Sequence, residues 1–380
     1  MKAIELIKKI NRERNKKTKI IKNIIASFKL VKKSKLEIKN IKKIAIIMHN
    51  VGIGDLIVSS GFFRVLKKSG FEIYIITNKE ISDIIERNPY IEKIIYIRKN
   101  TPIKKQLNKN NDLKIDLLID PFWENDIATL LPKFEIIKSI KPRYCVGLNK
   151  EKKYRVYDFS IDYKKYKSHV KEKFIALLDF LEIKDKNINY DVFISEEKYK
   201  KAINILEERK HSILISLCPF ASKMNRSLSI EKTNIILNEL NKIHGVLVIL
   251  CGTPSSLSKI DEFDNVIKPE SNQISDIIPY INLSNLVVSV DTSIVHLSNA
   301  LNKNLISIYS SEVNENFIHD YVWAPGYENA IQIIAPNNSA QNIDPYILVN
   351  KIKAQLNTST LSKDSHDMSH SLLQDNLTQH

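Results

Sequence analysis

Cysteine is scarce in this 380-residue chain, and the three present, Cys145, Cys218 and Cys251, are scattered and odd in number. They lack the arithmetic of a disulfide framework and the close spacing of metal ligands, which points to a reducing compartment. Cys218 and Cys251 fall at the ends of predicted strands, where cysteine serves as a small core residue. Long apolar runs are missing too: none approaches the ~20 residues needed to span a bilayer. The first residues are charged and lead into no apolar core with a small-residue cleavage site, so no secretory signal is expected. No Asp-x-Asp triplet stands near a strand end, and the glycine pair at 52–54 lacks the third glycine of a dinucleotide fingerprint. What remains is a globular chain, 43% hydrophobic, long enough for two ordinary domains and expected on the cytoplasmic side of a membrane.

Charge is plentiful but unevenly placed. Residues 1–43 hold sixteen Lys/Arg against Glu5, Glu13 and Glu37, so this arm carries +13 of the net +15. Ile21, Ile24, Ile25 and Phe28 would share one helical face, and a basic amphipathic segment of that kind suits an anionic membrane surface. The competing reading is an inert, solvated arm, because the whole chain is rich in Ile, Lys and Asn. Nucleic-acid binding is not expected: the arm lacks interleaved aromatics and the near-neutral body has no recognition motif.

Beyond the arm, short apolar runs alternate with helical patterns. Ile44–Met48, Glu72–Thr77, Ile94–Ile97, Leu117–Asp120 and Tyr144–Gly147 read as buried strands, with a helix from Leu56 to Lys68 stopped by Gly70. A second series holds strands at Ile213–Leu217, Val246–Leu250, Leu286–Val290 and Leu305–Ile308, with a helix over Ile230–Lys242. Such alternation predicts parallel sheets built from βαβ units, an α/β fold of two doubly wound, Rossmann-like domains facing across a cleft. The expected division is a basic arm at 1–42, domains at 43–188 and 189–356, and a disordered polar tail at 357–380.

Three segments could carry chemistry. Gly52-Ile-Gly54-Asp55 follows the first strand, where glycines permit a tight bend and a close ligand approach. Asp55 reads as an N-cap carboxylate, or as a general base taking a proton from an acceptor hydroxyl. The loop from Pro219 to Ser229 offers Ser222, Lys223 and Arg226 just past a strand, either as a solvated loop or as a diphosphate grip in which Arg226 supplies a planar fork. Asp291-Thr-Ser-Ile-Val-His296 ends another strand and opens a helix whose free N–H groups suit a phosphate. Here Asp291 and Thr292 would cap the helix, with His296 about one turn in. Co-location decides in favour of function: a phosphate site and a carboxylate base on opposite walls suit group transfer from a nucleotide donor.

Together these segments resemble glycosyltransferase family 9, the heptosyltransferases of lipopolysaccharide core assembly. The likeness spans residues about 43–350. Ile44–Lys68 is similar to the family's first strand, Gly-x-Gly-Asp turn and helix, and Asp291–Ala300 to its donor signature Asp-Thr-Gly-x-x-His-x-x-x-Ala. The resemblance implies a GT-B fold and an inverting, metal-independent transfer that needs no cofactor beyond the nucleotide-sugar donor, ADP-heptose by this reading. Asp55 would be the base, beside the acceptor-side Gly52 and Gly54. Ser222, Lys223, Arg226, Asp291, Thr292, Ser293 and His296 would hold the donor. The acceptor would be a lipid-anchored core oligosaccharide at the inner face of the bacterial inner membrane, where the basic arm would sit. Ser293 replaces the family's usual glycine and Arg226 a common lysine, which leaves the sugar open. Rival readings keep the fold but change the nucleotide sugar, take a protein acceptor, or bind nucleotide or glycan without turnover.

Overall fold

The computed structural model describes residues 11, 13–15, 18, 35–98, 101–107, 113–164, 168–311, 313–314 and 317–361. The proposed apolar face of the arm (Ile21, Ile24, Ile25, Phe28) and residues 362–380 of the tail lie outside them. The chain forms two compact units: Met1–Phe193 with Asn314–Trp323, and Ile194–Val313 with Ala324–His380. No helix among the described residues is long and apolar enough to cross a membrane.

In the first unit the strands are β1 (Lys43–Met48), β2 (Glu72–Asn78), β3 (Lys93–Ile97), β4 (Leu117–Asp120), β5 (Tyr144–Leu148) and β6 (Phe159–Ile161). All pair in parallel, in the order β3-β2-β1-β4-β5-β6. Helices α1 (Ile53–Lys68), α2 (Ile127–Ile140) and α3 (Glu172–Phe180) cross over between or follow them. Because helices cover both faces, the central strands are apolar throughout rather than alternating, and Ile44 to Met48 are all fully buried. The strand order reverses between β1 and β4, so the crevice at the carboxyl ends of these two strands is the natural ligand position.

Helix α1 ends where the sequence predicts: Ser69 caps it and Gly70 adopts φ +94°, a conformation that glycine takes without strain. Its flank holds the segment after α3. A Cβ on Gly61 would lie 2.3 Å from the Asn189 carbonyl, so only glycine allows this approach. Arg64 pairs with Asp191 and donates to the carbonyls of Asn187 (3.0 Å) and Asn189 (3.1 Å), and Ser60 Oγ accepts from the Asp191 N–H (2.7 Å). These bonds extend the first unit to Phe193, past residue 188. The segment Asn314–Trp323 also joins this unit, where Val322 O accepts from the Val170 N–H (2.8 Å), an excursion that a simple division into consecutive domains does not foresee.

The second unit repeats the topology. It contains α4 (Glu196–Glu207), β7 (Ile213–Cys218), α5 (Ile230–Asn241), β8 (Val246–Leu250), β9 (Val266–Ile267), α6 (Ile278–Leu283), β10 (Leu286–Val290), α7 (Ser293–Ala300), β11 (Leu305–Ser310), β12 (Ala330–Ala335) and α8 (Pro345–Leu361). The sheet order is β12-β11-β10-β7-β8-β9, all parallel, the same pattern read from the other edge. Its switch point lies between β7 and β10. Helix α8 runs to Leu361, so the polar stretch expected to begin at 357 is helical over its first residues.

Candidate functional site

In the second unit, the two loops singled out in the sequence leave the strands that flank the switch point. After β7, the chain turns through Met224–Arg226 as one 3₁₀ turn. Ser227 Oγ closes the loop by accepting from the Ala221 N–H (2.9 Å), and the Leu228 N–H donates to Pro219 O (2.8 Å). Ser229 then caps α5 by accepting from the Lys232 N–H (3.2 Å). This brings the Arg226 guanidinium onto Asp291, with Nη1 3.0 Å from Oδ2, in a pair that is largely buried. Nε of Arg226 is buried with no hydrogen-bond partner among the described residues, so the fork is only partly used.

After β10, Thr292 rather than Asp291 is the N-cap of α7: its Oγ1 accepts from the Ile294 N–H (3.3 Å). Asp291, one residue before the cap, turns its buried carboxylate onto Arg226. Ser293 is the first helical residue and His296 lies buried one turn in. Ser222 and Lys223 stand exposed at the start of the 219–229 loop. A cation held by a carboxylate beside a helix N-terminus has the chemistry that suits an anion.

In the first unit, Asp55 is not an N-cap either. Gly52 takes that position and Asp55 is the third residue of α1, its Oδ2 accepting from the Gly52 N–H (3.0 Å). The bend before the helix is made at Asn50 (φ +58°), whose N–H donates to Asn78 Oδ1, while Gly52 has an ordinary φ of −85°. So neither Gly52 nor Gly54 supplies the bend; Gly52 is exposed at the helix start. Asp55 is partly buried, and desolvation pushes its carboxyl above the ordinary value of 3.8. Lys173 and the Gly52 N–H pull the other way, while Glu124 adds to the rise. A carboxylate biased upward in this way is a better proton acceptor than a free one.

Sequence reading missed the residues around Asp55. Asp120, at the carboxyl end of β4, is fully buried with Lys133 Nζ 2.8 Å from Oδ1, Lys150 Nζ 3.0 Å from Oδ2 and Tyr157 Oη donating to Oδ2 (2.8 Å). Burial alone would raise the Asp120 pKa, but the two ammonium groups and the Tyr157 hydroxyl hold it down at about 2. Lys173, also buried, has Nζ 4.4 Å from the Phe122 ring centroid and 5.6 Å from that of Trp123. Burial pushes the Lys173 amine down, opposed by the charges of Asp55 and Glu124. These groups come from two helices, two loops and the end of β4, and the one local signal was the run Asp120-Pro-Phe-Trp-Glu-Asn at a strand end.

Two Rossmann-like units of one topology are the architecture of the GT-B class of glycosyltransferases. The sequence profile of glycosyltransferase family 9 (heptosyltransferase) matches residues 135–344, and the chain belongs to that family. It is 26% identical over 326 residues to an Escherichia coli (strain K12) protein named "Putative lipopolysaccharide heptosyltransferase 4", covering 82% of this chain and 87% of that one. Among solved structures, a family 9 glycosyl transferase from Veillonella parvula superposes with a TM-score of 0.69 at 17% identity, over 85% of this chain and 98% of the other. The E. coli ADP-heptose lipopolysaccharide heptosyltransferase II superposes at 0.65 with 16% identity, over 84% and 99%. At those identities the solved structures speak for the fold.

Proposed function

We propose that this enzyme transfers a heptose from ADP-heptose to a hydroxyl of a lipopolysaccharide or lipooligosaccharide core acceptor, by inverting, metal-independent displacement. The observation that carries this reading is the Arg226–Asp291 pair at the start of α7, a fixed cation beside helix N–H groups. The names of two similar E. coli proteins, one of them including ADP-heptose, support the choice of donor and acceptor class. In the step itself, the acceptor oxygen attacks the anomeric carbon and its proton passes to the Asp55 carboxylate. The bond from that carbon to the β-phosphate oxygen breaks, and ADP leaves with the electron pair. Arg226 and Lys223, with the N–H groups after Asp291, stabilise the charge on the departing diphosphate, the task a metal ion performs elsewhere. Thr292, Ser293 and His296 position the phosphate and the sugar. The basic arm, by its charge, suits attachment to the anionic cytoplasmic face of the membrane that carries such an acceptor.

The test is ADP release by the purified protein with a panel of nucleotide sugars and truncated lipopolysaccharide acceptors, with Asp55→Asn as control. Asparagine keeps an oxygen for the Gly52 N–H, so the helix start survives the change. Acceptor-dependent release from ADP-heptose, reduced about 10²- to 10⁴-fold in Asp55→Asn at unchanged ADP affinity, is the expected result. Release from another sugar nucleotide overturns the heptose assignment, and wild-type turnover in the variant removes Asp55 as base. ADP binding with no turnover on any acceptor favours a non-catalytic relative.

A further inference from the structure

The switch point of the second unit is flanked by two loops, and both carry donor-site residues. The switch point of the first unit is also flanked by two: the Asp55 turn after β1 and the segment Pro121–Asn125 after β4. β1 and β4 are hydrogen-bonded neighbours, with Ile46 opposite Ile119, so both loops leave the same edge of the sheet. Only the first has so far been given a role.

The main chain of the second loop is held at nearly every residue. The Phe122 N–H donates to Asp120 Oδ1 (3.3 Å), and Lys150 Nζ donates to the carbonyls of Phe122 (2.7 Å) and Glu124 (3.1 Å). The Asn125 side-chain amide donates to the carbonyls of Asn149 (2.7 Å) and Trp123 (3.3 Å), which fixes which end of that amide is nitrogen. The Trp123 ring stacks on Tyr163 with centroids 5.8 Å apart. In a segment so fully tied down, two side-chain oxygens stand out. Glu124 Oε2 and Asn125 Oδ1 are both buried and have no hydrogen-bond partner among the described residues. Buried polar atoms are nearly always paired, and two adjacent orphans of the same kind on one rigid loop call for a ligand that donates.

We infer that the Glu124–Asn125 loop is a subsite for hydroxyl groups of a neutral sugar ring of the acceptor, set beside the hydroxyl that Asp55 deprotonates. Both orphan atoms are acceptors, so they select O–H donors and reject phosphate or carboxylate at this position. The loop's rigidity keeps the binding geometry in place before the acceptor arrives. Glu124 is then an acceptor-binding residue whose charge also reaches Asp55. This inference rests on the proposed glycosyl transfer for the nature of the ligand but not for its test.

The full-length protein is titrated calorimetrically with deacylated, dephosphorylated lipopolysaccharide core oligosaccharides, without donor, in wild type, Glu124→Ala and Glu124→Gln. Transfer and ADP binding are measured separately. Lys150 holds the carbonyl of Glu124 rather than its side chain, so truncation leaves the loop anchored. Glu124→Ala is expected to weaken oligosaccharide binding and raise the acceptor KM about 10- to 100-fold, with ADP affinity unchanged, and Glu124→Gln, which retains an acceptor oxygen, to recover part of the loss. Equal binding in wild type and Glu124→Ala overturns the subsite, as does a pH-profile shift with no change in acceptor KM. Failure of every oligosaccharide to bind wild type overturns it as well. Oligosaccharide binding lost in Glu124→Ala, alongside no release from ADP-heptose, sustains the subsite while the donor assignment falls.

Discussion

Arg226→Ala is the perturbation whose size follows most directly from the geometry. The guanidinium lies 3.0 Å from Asp291, with side-chain exposures of 18% and 6%, so solvent screening is weak there. A diphosphate bound at the start of α7 would lie beside this guanidinium. Charge-assisted hydrogen bonds of this kind contribute about 1.5–3 kcal/mol. At about 1.4 kcal/mol per factor of ten, Arg226→Ala should weaken ADP binding about 10- to 150-fold. Asp291→Ala should weaken it less, because the cation survives and loses only its anchor. The double variant should bind no worse than Arg226→Ala alone, since Asp291 acts through Arg226. Calorimetric titration of ADP into the four proteins measures all three, with thermal scans to confirm folding. An ADP affinity for Arg226→Ala within twofold of wild type, or losses that simply add in the double variant, would refute the assignment.

Two further perturbations probe the first unit. Asp120→Asn strands the buried Lys133 and Lys150 cations, which should cost about 3–5 kcal/mol; guanidinium titration followed by tryptophan fluorescence reads this unit alone, because Trp123 and Trp323 both belong to it, and a loss under about 1 kcal/mol would sink the argument. The sign with pH follows from the lowered pKa: the Asp120 contribution is complete above its ordinary value of 3.8 and disappears as pH falls toward about 2, so wild type and variant should converge in acid. Lys173→Met removes a cation that stabilises the Asp55 carboxylate. The base should then stay protonated to higher pH and the acid limb of the transfer rate should move upward; an unmoved limb, or a downward shift, would exclude that coupling.

Much of the fold was legible from local pattern. Buried parallel strands must be apolar on both faces, so runs such as Ile44–Met48 and Val246–Leu250 announced themselves within a residue or two of their observed ends. Helix α2 did not, because Pro132 sits inside it and its Asp126 cap follows directly on the Pro121–Asn125 loop. Strand β6 and the two-residue β9 are too short for any period to show. The excursion of Asn314–Trp323 into the first unit depends on contacts with residues far away in sequence, such as Val170.

For the candidate site, the sequence alone determined which loops leave the carboxyl ends of strands, and hence where Asp55, Arg226 and the Asp291–His296 segment lie in the fold, because a strand end leaves a short, contiguous mark. It could not determine partners. That Asp291 holds Arg226, that Lys150 clamps the loop bearing Glu124, and that Lys173 lies close enough to act on Asp55 were decided by the tertiary packing of strands and helices. The pairings β7–β10 and β1–β4 bring together residues more than 70 positions apart. Their energies come from burial and distance, neither of which exists until the sheet has closed around them.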